Sequence, residues 1–214
     1  MKIFLTINIY INKVKNMKPK KVLNLLKKGN KRFVKNLSLN RDLLKEARST
    51  KTSQSPIAAV LSCLDSRSSA EVIFDQGIGD VFSARVAGNV VNDDILGSLE
   101  FACFLSTAKV IVVLGHTNCG AVHGACDDAK LGHLTNLLEK IKVAVDLVKK
   151  PKNPDKRNSG NLEFVDKVTI ENVKLTIENI RKNSNILSKM EKYGEIMIVG
   201  GIHNLSDGTI KYIK

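Results

Sequence analysis

Apolar positions along the 214-residue chain fall into short continuous runs separated by longer amphipathic segments. Residues 18–36 set Val22, Leu25, Leu26, Phe33 and Val34 among lysines, which makes one apolar stripe on a basic helix. A second helix is predicted around 40–49. "PIAAVLS" (56–62) is almost continuously apolar, as a strand buried on both faces must be. "DVFSARVAG" (80–88) predicts a second strand. Over 93–107, Ile95, Leu99 and Ala102 recur at helical spacing, with Asp93 or Asp94 placed to cap the helix. "KVIVVLG" (109–115) is the clearest buried strand in the chain.

Helical patterning resumes after Cys119 and again over 133–149. "KKPKNPDKRNSG" (149–160) is a loop by its two prolines, Asn and Gly. A long helix is predicted over 161–182, with Val173, Ile177 and Ile180 on one stripe, and a short one over 184–192. "EIMIVGGIH" (195–203) and "TIKYI" (209–213) flank the turn-forming "NLSDG". Buried strands alternating with helices predict an α/β fold with a mainly parallel central sheet. We expect about four parallel strands plus an antiparallel edge strand, flanked by helices and preceded by an N-terminal helical arm. Residues 1–17 then read as an N-terminal extension, 18–55 as the basic arm and 56–214 as the α/β domain.

The net charge of +13 invites a nucleic-acid reading until it is located. Residues 1–51 hold 15 of the 34 Lys/Arg but only Asp42 and Glu46 of the acids, so the remainder is balanced. No aromatic-rich platform or zinc-finger spacing accompanies the basic arm, so it reads as a solvated helix face without a specific nucleic-acid partner. Four cysteines (Cys63, Cys103, Cys119 and Cys126) sit in a chain large enough to need no staples, which predicts reduced thiols. Cys103 and Cys126 read as packing residues. In "MKIFLTINIYINKVKN" the apolar run is broken by Asn8 and Asn12, and no small-x-small cleavage site follows. Met17 opens a fresh helical start. The expected location is cytoplasmic; the alternative is export, should residues 1–16 act as a signal peptide. No apolar run approaches the ~20 residues of a membrane span.

Two strand ends carry chemistry. The strand at 57–62 runs into Cys63-Leu64-Asp65-Ser66-Arg67, and the strand at 109–115 into His116-Thr117-Asn118-Cys119-Gly120. In a parallel sheet both carboxyl ends share one edge, where ligand sites of α/β folds form. Two thiolates and an imidazole converging there suit zinc, and three protein ligands leave a fourth position open, as in catalytic sites. Zinc brings the pKa of bound water from ~15.7 to about 7, giving a hydroxide nucleophile. The planar fork of Arg67 can hold the Asp65 carboxylate by two hydrogen bonds. Asp65 could then orient the metal's water, or swing onto the metal and displace it.

These residues resemble the β-class carbonic anhydrases, whose signature is Cys-x-Asp-Ser-Arg followed some fifty residues later by His-x-x-Cys-Gly. Both stand intact, as "CLDSR" (63–67) and "HTNCG" (116–120). The similarity extends through "GNKRFV" (29–34), "IFDQGIGDVFSARVAGNVV" (73–91), "IVVLGH" (111–116) and "IVGGIHNLSDG" (198–208), covering roughly residues 18–212. It implies reversible hydration of carbon dioxide to bicarbonate and a proton, with one Zn(2+) per subunit on Cys63, His116 and Cys119. Asp65 and Arg67 would be the water-orienting dyad, with Asp65 as a fourth ligand in a closed state that falling pH would favour. It further implies a homodimer or dimer of dimers, with the arm wrapped over the neighbour.

Gln54, Phe82 and Phe101 match substrate-pocket positions, partly contributed across the dimer interface, and Gly120 closes the second motif beside them. Phe101 stands where the family often has Tyr. Arg85 matches the arginine of a regulatory bicarbonate site, but Val60 and His203 replace its Trp and Tyr. His123 and His203 are candidates for proton transfer, against a helix-surface reading for His123 and a packed one for His203. The rival functions are hydrolysis of carbonyl sulfide or carbon disulfide at the same site, and a non-catalytic basic zinc module.

Overall fold

A computed structural model describes residues 16–213. The export question attached to residues 1–16 therefore falls outside the described residues, Asn16 excepted. Helix α1 (Pro19–Val34) opens with proline in its first turn, where the missing N–H costs no hydrogen bond. Its buried side, Val22 and Leu26, packs on Ala58, Val60, Phe74 and Val112, while its lysines face outward. Gly29 lies so near the next layer that an added Cβ would sit 1.7 Å from the Phe74 carbonyl oxygen. Asn30 beside it is 8% exposed and donates to the carbonyls of Ile73 and Gly208 while accepting from the Ile210 amide. Helix α2 (Leu43–Thr50) is capped by Asp42, which accepts from the Lys45 amide.

Strand β1 (Ala58–Ser62) is buried along its whole length. A single helical turn, α3 (Ala70–Ile73), precedes β2 (Val81–Arg85). The strand predicted over 80–88 stops at Arg85 because the chain turns tightly through Ala87–Asn89, with Gly88 at φ 66° and Asn89 at φ 46°. Helix α4 (Asp93–Glu100) is capped by Asn92, one residue before the expected aspartates. Asp93 and Asp94 instead occupy its first turn, where the helix dipole favours negative charge. The helix winds on as a wider π-turn over Phe101–Leu105.

Strand β3 (Val110–His116), fully buried, leads to α5 (Gly120–Cys126) and α6 (Gly132–Leu147). Helices α7 (Leu162–Asn183) and α8 (Asn185–Lys192) follow, then β4 (Met197–His203) and β5 (Ile210–Ile213). The sheet order is β2-β1-β3-β4-β5. The first four strands are parallel, and β5 is the antiparallel edge.

Alternate residues of β3 serve opposite faces, as the two-residue period of a strand requires. Ile111 and Val113 join Leu99, Ile177 and Leu187 on one side; Val110, Val112 and Leu114 meet α1 and α3 on the other. A third cluster at the carboxyl ends of the strands packs Cys63 and Cys119 with Val122, Ile141 and Phe164. We expect Gly29→Ala to cost about 1–3 kcal/mol by overpacking. Thermal unfolding would read this as a lowered Tm; an unchanged Tm would show that α1 can shift away from Phe74 at no cost.

Candidate metal centre

Register decides which side chains meet. Ser62 of β1 lies opposite Leu114 of β3, so the chain leaves β1 at Cys63 beside the end of β3. His116 is the last residue of β3, and Cys119 immediately precedes α5. One ligand atom from each of Cys63, His116 and Cys119 lies within 4.8 Å of the other two, and all three residues are buried. The two sulfurs are 3.9 Å apart. The His116 ring faces the Thr117 carbonyl oxygen at 2.9 Å through Nδ1. A carbonyl only accepts, so Nδ1 carries the proton and Nε2 presents its lone pair to the sulfurs. Nε2 is buried and has no hydrogen-bond partner among the described residues. A buried acceptor of this kind is costly unless something occupies it, and a metal ion satisfies it.

The thiols titrate as a pair. A hydrogen bond from Cys119 pulls Cys63 down to about 4, against the opposing effect of burial. The same contact, with burial, pushes Cys119 upward. Burial works against a charged His116, yet the Cys63 sulfur, the Thr117 carbonyl and the Asp65 carboxylate together outweigh it and leave the imidazole above its ordinary pKa. The contact between the sulfurs thus favours the thiolate of Cys63, the form in which a cysteine binds a cation.

Asp65 is fixed from one side. Arg67 donates through Nε to Oδ1 at 2.9 Å and through Nη2 to Oδ2 at 2.7 Å, and its amide reaches Oδ1 at 3.0 Å. This clamp lowers the Asp65 carboxyl to about 2. Its Oδ2 lies 4.0 Å from His116 Nε2, so the carboxylate borders the ligand cluster without belonging to it.

A carbonic anhydrase family model matches residues 58–210. The chain belongs to the carbonic anhydrases, in their β class. A carbonic anhydrase of Mycolicibacterium smegmatis is 34% identical over 202 residues, covering 92% of this chain and 94% of the relative. The β-carbonic anhydrase CafA of Aspergillus fumigatus superposes with a TM-score of 0.70 at 26% identity, over 80% of this chain and 81% of the other. Two tetrameric β-carbonic anhydrases are described from Sordaria macrospora, and the matching chain gives a TM-score of 0.66 at 24% identity, over 78% of this chain and 84% of the other, a likeness of fold. Membership makes the chain a carbonic anhydrase enzyme, and the reading as a non-catalytic module falls.

Three other residues matched to the family, Gln54, Phe82 and Phe101, lie away from this cluster. Gln54 precedes β1, at the opposite end of the strand from Cys63, and is exposed. Phe82 pairs with Ala59, four residues before Cys63, or roughly 13 Å along the strand. Its ring meets Phe101 edge-on at 6.1 Å, and both line an open cleft of about 660 Å³. His203 is buried at the sheet edge opposite His116, with Nδ1 3.1 Å from the Ser68 hydroxyl. Burial holds its pKa below the ordinary value. His123 is half-buried with its Nε2 enclosed, not on an open helix surface.

Sequence reasoning missed the Gly88 turn. The Gly88 amide donates to the Cys63 sulfur at 3.4 Å, and buried Asn172 of α7 holds the Gly88 carbonyl at 2.8 Å. An added Cβ at Gly88 would meet Ile141 Cδ1 at 2.4 Å, and its φ of 66° is glycine territory. A glycine inside an apparent strand was the available signal. No helix of the described residues is long and apolar enough to cross a membrane. We expect metal-free protein to keep roughly one thiolate per chain at pH 6, losing it as pH falls through about 4. Ultraviolet thiolate absorbance reads this directly; a thiolate appearing only above pH 8 would contradict the paired-sulfur geometry.

Proposed function

We propose that this enzyme catalyses the reversible hydration of carbon dioxide at one zinc ion per subunit, held by Cys63, His116 and Cys119. The observation that carries the reading is the convergence of two sulfurs and a partnerless imidazole nitrogen, bordered by a clamped carboxylate. Such a donor set suits zinc. When bound, zinc supplies the Lewis acidity that brings a ligated water's pKa to near neutrality.

The chain's own residues do the rest. Arg67 occupies one side of Asp65 with three hydrogen bonds, so the free lone pair of Oδ2 points toward the His116 side. Asp65 there accepts a hydrogen bond from the reacting water and orients its attack on the carbon of carbon dioxide. Because the clamp depresses the Asp65 pKa, its stabilisation is complete above the ordinary carboxylate range and is lost only as pH falls through about 2. Asp65 is therefore an anion throughout the working range. An alkaline onset of activity would then reflect competition for the open metal position, not protonation of Asp65.

A Cβ at Gly120 would meet nothing within 4 Å, so no packing within the subunit demands glycine there. Space beside Cys119 suits an approaching substrate. Gln54, Phe82 and Phe101 stand too far along the sheet to serve their own subunit's ligands. We assign them to the neighbouring subunit's pocket in a homodimer or dimer of dimers, Gln54 as an oxygen-binding donor and the two rings as an apolar wall. Exposed Leu37, Leu39, Leu43 and Leu44 on the arm, with Phe104 and Leu105, support such an assembly. Burial favours His203 as a packed residue over a proton carrier.

Stopped-flow hydration tests the reading. Zinc-loaded protein should hydrate carbon dioxide, and Asp65→Ala should lose about 10–100-fold in rate while keeping its zinc. A fully active Asp65→Ala removes Asp65 from the mechanism; zinc-loaded protein without hydration activity ends the proposal.

A further inference from the structure

Arg85 ends β2, in register beside Ser62, the residue before Cys63. Its side chain crosses to the loop that carries the site. Nε donates to the Cys63 carbonyl oxygen at 3.2 Å, and Nη2 donates to the Asp65 carbonyl oxygen at 2.6 Å. These two oxygens belong to a ligand residue and to the residue of the orienting carboxylate.

The stretch from Cys63 to Arg67 is irregular, so its backbone groups find partners outside a sheet ladder or helix. The Ser68 amide also reaches the Asp65 oxygen, at 3.1 Å, but from the same loop. Arg85 is the donor that ties the loop to another strand. A guanidinium presents its N–H groups in one rigid plane, so engaging two carbonyls with one fork sets their separation as well as their directions. A lysine has three donors but on one rotatable nitrogen at the end of a flexible stem, so it can reach the carbonyls without fixing their separation.

We infer that Arg85 is a positioning residue: it clamps the Cys63 and Asp65 carbonyls and thereby fixes the sulfur and the carboxylate relative to each other. The inference rests on the roles proposed above for Cys63 and Asp65. Two consequences follow from the geometry. Moving the Asp65 carboxylate off Arg67 and onto the metal requires the loop to turn about Asp65, and the held carbonyl opposes that turn. An anion bound by Arg85 would also compete for the N–H groups that hold the loop, which sets this role against the bicarbonate-receptor role implied by family resemblance.

The test uses the full chain loaded with zinc or cobalt. Arg85→Ala should release zinc to a chelator about 10–100-fold more readily than wild type. It should also alter the ligand-field spectrum of the cobalt form. Added guanidinium ion should restore both properties, which it would not do for general structural damage. Arg85→Lys should recover only part of either. Wild-type zinc retention and an unchanged cobalt spectrum in Arg85→Ala would overturn the inference, as would loss of bicarbonate inhibition with the metal site untouched. If Arg85→Ala does not fold, Arg85→Lys decides, since a wild-type spectrum and retention there would exclude the fork. Metal retention and spectrum are read without turnover, so failure of the hydration reading in wild type stays separate from failure here.

Discussion

Everything at the metal centre depends on the parallel pairing of β1 with β3. That pairing is a run of backbone hydrogen bonds between two strands buried along their whole length, and it admits one register. Slipping by a single residue would turn every side chain of one strand to the opposite face. Ile111 and Val113 would then leave the layer of Leu99 and Ile177 for that of α1. The same register sets Cys63 beside His116 although 53 residues separate them. Apolar packing far from the site therefore determines donor spacing at the site, and the register of a rigid scaffold sets the three donors close together.

Around that fixed pair the chain supplies a surround of backbone groups. The Gly88 amide faces the Cys63 sulfur, Asn172 holds Gly88, Arg85 holds two loop carbonyls, and the Thr117 carbonyl sets the His116 tautomer. The Gly88, Asn172 and Thr117 contacts satisfy groups that burial would otherwise penalise, Arg85 reaches its carbonyls from an exposed strand end, and each contact orients a donor. Arg67 is different. It is half exposed yet pins Asp65 through a bidentate fork, which separates the carboxylate's anchored side from its working side.

The strands and the ligand motifs were legible in the sequence because both are written locally. Continuous apolar runs marked β1 and β3, and the residues just beyond them carried the donors. The antiparallel edge was equally plain from the short "NLSDG" link. What escaped were features created by tertiary contact. The run through Val86 and Ala87 reads as strand, but the chain turns through Ala87–Asn89, and there Ile141 leaves room only for glycine at position 88. The capping role passed to Asn92, since three equivalent cap formers stand in a row and only the incoming backbone angle chooses among them. Arg85 reads as an anion receptor by motif, whereas its partners are carbonyls that no pattern of side chains announces.

Asn30 has a consequence for synthesis. It belongs to the first helix of the fold but hydrogen-bonds with Gly208 and Ile210, some 180 residues later. On a ribosome, α1 emerges early with its apolar stripe uncovered and its anchor not yet made. Its apolar stripe can pack on β1, α3 and β3 as they emerge, but the Asn30 bonds to Gly208 and Ile210 form only once β5 has left the exit tunnel, so this anchor is completed last. The lysines that crowd this helix keep a waiting apolar segment soluble, which gives the segregated positive charge a use before folding is complete.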